Sequence, residues 1–153
     1  KFFGMTGWRL GWVVAPPAYG RELDKLAGNI FLAPPTPAQH AALAAFEPAT
    51  QTVLEERRQA FQARRDFLLP ALRELGFRIP GEPRGAFYLY ADASAFTDDS
   101  FAFAERVLNQ AGVAITPGID FGDYRARQHV RFAYTTSLDR LEEGVARLRA
   151  FLS

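Results

Sequence analysis

Residues 8–15, Trp8-Arg9-Leu10-Gly11-Trp12-Val13-Val14-Ala15, are apolar with one interruption. Such a run reads as a strand buried on both faces, the kind found inside a parallel sheet covered by helices. A strand of that kind needs neighbours, because a lone strand is marginal in water. No comparable run lies nearby, and Pro16-Pro17 closes this one. The sequence therefore predicts an α/β layer in residues 1 to about 48 whose other strands lie elsewhere. The chain opens on Lys1, not Met, which adds to the expectation of a portion of a longer protein.

The rest of the chain reads as helices followed by a small mixed layer. Residues 18–28 suit a short helix with Leu23 and Leu26 inward. After the Pro-rich connection 31–37, Thr36 is a candidate N-cap with Pro37 at the first helical position, and that helix should run to about Phe46. Pro48 should break it. Val53, Leu54, Phe61, Leu68, Leu72 and Leu75 keep helical spacing over 50–76, with Pro70 expected to kink or divide the helix and Gly76 to stop it. From Gly85 the order is strand (86–91), helix (98–111), short strand (113–116), loop, strand (129–135) and a last helix from Thr136 or Ser137. That order predicts an α+β layer with helices on one face of a small sheet. The predicted domains are 1–62, the end of a large α/β domain, and 63–153, a small α+β domain, with the long helix bridging them.

Composition bounds the function classes. Hydrophobic residues are 48% and charged residues 23% of 153, which fits a packed globular chain and excludes disorder. A net charge of +1 gives no basic surface, so nucleic acid is not an expected partner. The absence of Cys removes thiol catalysis, thiolate metal sites and disulfides, and fits a cytoplasmic setting. No apolar run approaches the ~20 residues that span a bilayer, so no membrane role is expected.

Three residues could carry chemistry. Arg9 and Arg131 stand alone in apolar runs. A buried guanidinium cannot shed its proton and needs an anion, and its planar fork matches a phosphate or carboxylate. The alternative for each is an edge-strand arginine that reaches water or pairs with a Glu. Lys1 precedes Arg9 by eight positions across a glycine-bearing turn, and a lysine amine can form an imine with an aldehyde cofactor. The alternative is a solvated terminal side chain. His40 and His129 have no metal-spaced companions, so no metal site is expected. Asp98-Asp99 reads as a helix start.

Four segments then carry a resemblance. Lys1-Phe2-Phe3-Gly4-Met5-Thr6-Gly7-Trp8-Arg9-Leu10-Gly11-Trp12 resembles the lysine segment of the class I/II aminotransferases, the fold-type-I pyridoxal-phosphate enzymes, whose pattern is Lys, a short spacer and Gly-x-Arg-x-Gly. Ala33-Pro34-Pro35-Thr36-Pro37-Ala38-Gln39, Gly85-Ala86-Phe87-Tyr88-Leu89, and Thr116-Pro117-Gly118 with Phe121-Gly122 and Val130-Arg131-Phe132 resemble later family segments, in the family's order.

The resemblance implies an α/β parent fold and a pyridoxal 5′-phosphate cofactor held through a Schiff base on Lys1. It implies that Arg9 clamps the cofactor phosphate, that Arg131 binds the substrate α-carboxylate and that Phe87 walls the site beside it. The implied reaction moves an amino group between an amino acid and a 2-oxo acid, and the implied parent is a homodimer. In the family, the ring-stacking aromatic, the acid beside the pyridine nitrogen and the phosphate loop precede the lysine. None is matched here, so the chain alone is expected to be inactive. A pyridoxal-phosphate C–S lyase, or a non-catalytic folding or dimerisation module for the isolated chain, are the alternative readings.

Overall fold

In the computed structural model, which describes all residues 1–153, the chain falls into two units, Lys1–Arg58 and Gln59–Ser153. The first holds α1 (Pro17–Ile30), α2 (Thr36–Ala44) and the opening turns of α3 (Pro48–Glu74). Residues 8–15 form no strand, contrary to the sequence expectation. Thr6–Trp8 is one 3-10 turn, Arg9 takes left-handed backbone (φ 54°, ψ 38°), and residues 10–16 carry no regular structure. The reason is the lack of a ladder partner. Backbone groups that find no neighbouring strand cannot build a sheet, and Val14 is left 93% exposed.

The predicted inward face of α1 is also corrected. Leu23 and Leu26 are exposed with Tyr19 and Ile30, and no residue of α1 is buried. An amphipathic pattern specifies an apolar face but does not supply what covers it. Thr36 is the first residue of α2, and Pro35 occupies the cap position in its place. Phe2, Phe3, Trp12 and Phe46 form an aromatic cluster, with Phe3 lying 5.4 Å from Trp12 and 5.6 Å from Phe46 between ring centroids.

Pro48, expected as a break, opens α3, where its missing N–H is one of the orphan donors of a helix start. Pro70 does not divide α3. Pro70 itself is exposed, so the carbonyl it leaves unpaired can be solvated, while Leu68, Leu69 and Leu72 are buried around it. The helix ends in a Schellman motif. Gly76 at φ 101° donates to the Arg73 carbonyl (3.0 Å), and Phe77 donates to that of Leu72 (3.1 Å).

The second unit is an antiparallel sheet with helices on one face. Strand β3 (His129–Ala133) is central, flanked by β1 (Tyr88–Asp92) and the two-residue β2 (Thr116–Pro117). Arg78 adds one antiparallel bridge beyond β1, at Asp92. The register pairs Leu89 with Phe132 and Ala91 with Val130, and these four side chains are buried. They pack with Leu68, Leu69 and Leu72 of α3, Phe103 of α4 (Ser100–Arg106), Phe77, and Leu141, Val145 and Leu148 of α5 (Leu138–Leu152). Asp99 caps α4 by accepting from the Phe101 and Ala102 amides, both at 3.1 Å. A π-turn over Val107–Ala111 follows, and Gly112 ends it in left-handed backbone. The period of two sends Tyr88, Tyr90 and Arg131 to the opposite face of the sheet. No helix is long and apolar enough to cross a membrane.

Candidate active site

The helix-free face of the sheet carries a row of three residues across its strands. Tyr90 of β1 and Thr116 of β2 are both paired with Arg131 of β3. Arg131 donates from Nη2 to the Thr116 hydroxyl at 3.2 Å. Its guanidinium carbon lies 4.7 Å from the Phe121 ring centroid and 5.4 Å from that of Tyr88. Its Nε is buried and has no acceptor.

Neighbouring cations are engaged elsewhere. Arg78 and Arg125 pair with Asp92, and Arg127 pairs with Asp99 at 2.9 Å. Burial alone would raise the Asp92 carboxyl. The hydrogen bonds from Ser94 and the guanidinium of Arg78 outweigh it and hold the group well below the usual carboxylate range. Arg131 has no carboxylate within ion-pair distance. An always-charged group with a buried, unsatisfied N–H is a poor structural element and a good anion receptor.

Around it lies a cavity of about 490 Å³ lined by Tyr88, Tyr90, Phe121, Gly122, Asp123, Tyr124, Ala126 and Arg131. Tyr90 stacks on His129, 5.0 Å between centroids and 13° between planes. His129 is fixed in turn by its Nδ1, 2.9 Å from the Arg125 carbonyl oxygen. Burial raises the Tyr90 hydroxyl, which keeps it protonated at neutral pH. Phe87 packs against the core, and its ring meets that of Tyr88 edge-on at 5.5 Å. Of these two neighbouring rings, it is that of Tyr88 that lies against the Arg131 guanidinium. The sequence alone assigns no role to Tyr88, Tyr90 or Thr116, although the alternation of β1 sets both tyrosines opposite Leu89.

Lys1 and Arg9 come together in the first unit, where both line one cavity of about 360 Å³. The Lys1 carbonyl accepts from the Gly4 amide (3.0 Å), and the Trp8 amide donates to the Met5 carbonyl (3.1 Å). These two turns fold the segment back on itself. The left-handed backbone at Arg9 turns its guanidinium onto the Thr6 carbonyl, with Nη1 donating at 3.2 Å. Phe3, Trp12 and Phe46 supply apolar wall, and no carboxylate lines the cavity. Two nitrogen cations in such a place suit an anionic group and a carbonyl.

The family profile for aminotransferase class I and II matches residues 1–148. This chain belongs to the class I and II aminotransferases. Valine–pyruvate aminotransferase of Mycobacterium tuberculosis (strain ATCC 25618 / H37Rv) is 40% identical over 152 residues, covering 99% of this chain and 39% of the relative. The crystal structure of an aminotransferase from Mycobacterium tuberculosis superposes with a TM-score of 0.91 at 40% identity, over 99% of this chain and 39% of that one. A putative aminotransferase from Silicibacter pomeroyi gives 0.89 at 44% identity, over 99% of this chain and 40% of that one. The chain thus spans about two fifths of the length of these aminotransferases, and its fold is that of the fold-type-I enzymes.

Proposed function

We propose that the complete protein is a pyridoxal 5′-phosphate-dependent aminotransferase acting between an amino acid and a 2-oxo acid. In this reading the present chain supplies the cofactor lysine and the α-carboxylate site. The observation that carries it is Arg131, a guanidinium with a buried Nε–H and no acid partner, facing an open cavity. The first unit fits the cofactor: Lys1 offers an amine for its aldehyde and Arg9 a guanidinium for its phosphate, on one acid-free cavity.

Arg131 takes the α-carboxylate and so fixes the direction of the Cα–H bond. The guanidinium lies against the Tyr88 and Phe121 rings, and Phe87 meets Tyr88 edge-on. Arg9 would bind the cofactor's phosphate and so fix its position. Lys1 would hold the cofactor's aldehyde carbon through Nζ and, as a free amine, would carry the proton taken from the substrate Cα to the cofactor's C4′. The cofactor, when bound, draws off the electron pair left at Cα and lowers the barrier to losing that proton. The same reading takes the complete protein as a cytoplasmic homodimer, supported by the resemblance of the 34–39 segment to one near the family's subunit boundary and by the lack of Cys. The isolated chain is proposed to be inactive.

The test uses the complete protein with an amino acid donor and pyruvate as acceptor. Arg131→Ala should cost about 2–4 kcal/mol of transition-state binding, a fall in kcat/KM of about 30- to 1,000-fold, expressed mainly in KM. Lys1→Ala should lose the visible absorbance band of the bound cofactor after dialysis. Release of an oxo acid from cystathionine without an acceptor would mark a C–S lyase and overturn the transaminase reading.

A further inference from the structure

We propose that the Arg131 cavity selects monocarboxylic amino acids with an apolar side chain, and that Asp123 at its rim turns away substrates bearing a second carboxylate. This rests on the reading of Arg131 as the α-carboxylate anchor. The cavity presents one cation, and one guanidinium binds one carboxylate in its fork. The other three arginines nearby are drawn to Asp92 or Asp99 and do not line it. A second carboxylate entering this space would therefore find no counter-charge from the chain.

It would instead meet Asp123. Asp123 lines the cavity, and its side chain makes no ion pair and no hydrogen bond; only its backbone carbonyl is used, by the Ala126 amide at 3.4 Å. Juxtaposed like charges in an interface are strongly disfavoured and act mainly on specificity. The remaining wall is aromatic: Tyr88, Tyr90, Phe121 and Tyr124. Tyr124 is 90% exposed, so its ring is free to close over a side chain once one is bound. A site built from rings with one fixed cation matches small-molecule pockets in which apolar walls carry affinity and few polar groups set orientation.

The experiment measures kcat/KM of the complete protein for phenylalanine, leucine, aspartate and glutamate, with pyruvate as acceptor. The apolar donors should exceed the dicarboxylic ones by about 10-fold or more, since the latter meet like-charge repulsion and lose apolar contact. Asp123→Asn should reduce the leucine-to-glutamate ratio about 5-fold, and Tyr124→Ala should lower kcat/KM for phenylalanine by a similar factor. Preference for aspartate or glutamate overturns the proposal. So does an unchanged ratio in Asp123→Asn with both donors weakened equally, which would make Asp123 a partner of the α-ammonium group. Failure of the underlying reading looks different: no donor is transaminated, or Arg131→Ala leaves every KM in place.

Discussion

The guanidinium carbon of Arg131 stands 4.7 Å from the centroid of the Phe121 ring. A cation over an aromatic face gains about 0.5–2 kcal/mol. Phe121→Leu keeps apolar bulk and removes the π face, so amino-acid affinity in the complete protein should weaken about 3- to 10-fold. Substrate titration and KM read this directly. An unaltered KM would remove Phe121 from the cradle.

The Arg131 guanidinium should burden the fold. A buried N–H without an acceptor costs about 1–3 kcal/mol, and the Arg131 Nε is such a group. Arg131→Met should leave the ligand-free protein as stable as the parent or more so, while amino-acid binding is lost. Urea unfolding with and without substrate tests this. A drop of more than about 1 kcal/mol without ligand would show that the guanidinium is a structural element.

Gly118 is required by its surroundings. A Cβ there would lie 2.3 Å from the Ala126 carbonyl, 2.6 Å from that of His129 and 2.8 Å from the Tyr90 hydroxyl. Two of these are backbone atoms with no room to yield. Gly118→Ala should destabilise by about 2–3 kcal/mol. It should also disturb the Tyr90–Arg131 row, so that KM rises in the fraction that still folds. Circular dichroism melts together with KM measurements would reveal it.

Asp92 sets an acid limit. Its folded carboxyl titrates below the ordinary Asp value of about 3.9. The stability it contributes is therefore complete above that value and is lost as pH falls from about 4 toward the folded pKa. Asp92→Asn should weaken the protein at pH 7 by about 1–3 kcal/mol and flatten the loss of stability below pH 4. A variant whose stability falls with acid as steeply as the parent's would point to other carboxylates.

What the sequence makes legible follows from how local each signal is. Gly76, Asp99 and Gly112 act within one turn, and each ends or caps a helix where its chemistry says it should. The alternation of Val130, Phe132 and Tyr134 needs only a period of two, and those three are buried. Residues 8–15 and the face of α1 depend on partners that no local pattern contains, so the strand is absent and Leu23 and Leu26 meet solvent. The site divides the same way. A lone Arg131 in an apolar run is visible by inspection, whereas its contacts with Tyr88, Thr116 and Phe121 arise from strand register and a turn 10 positions away.

The three-stranded sheet has two free edges, and neither invites another chain. On one side β2 is two residues long, and its Pro117 has no N–H to donate. On the other, the Arg78 bridge occupies the Asp92 end of β1 and places a charged side chain there. Short, proline-ended and charged edges are the devices by which natural sheets resist edge-to-edge aggregation. The face that carries Tyr90, Thr116 and Arg131 can thus lie beside strands that would otherwise be a template for amyloid-like growth.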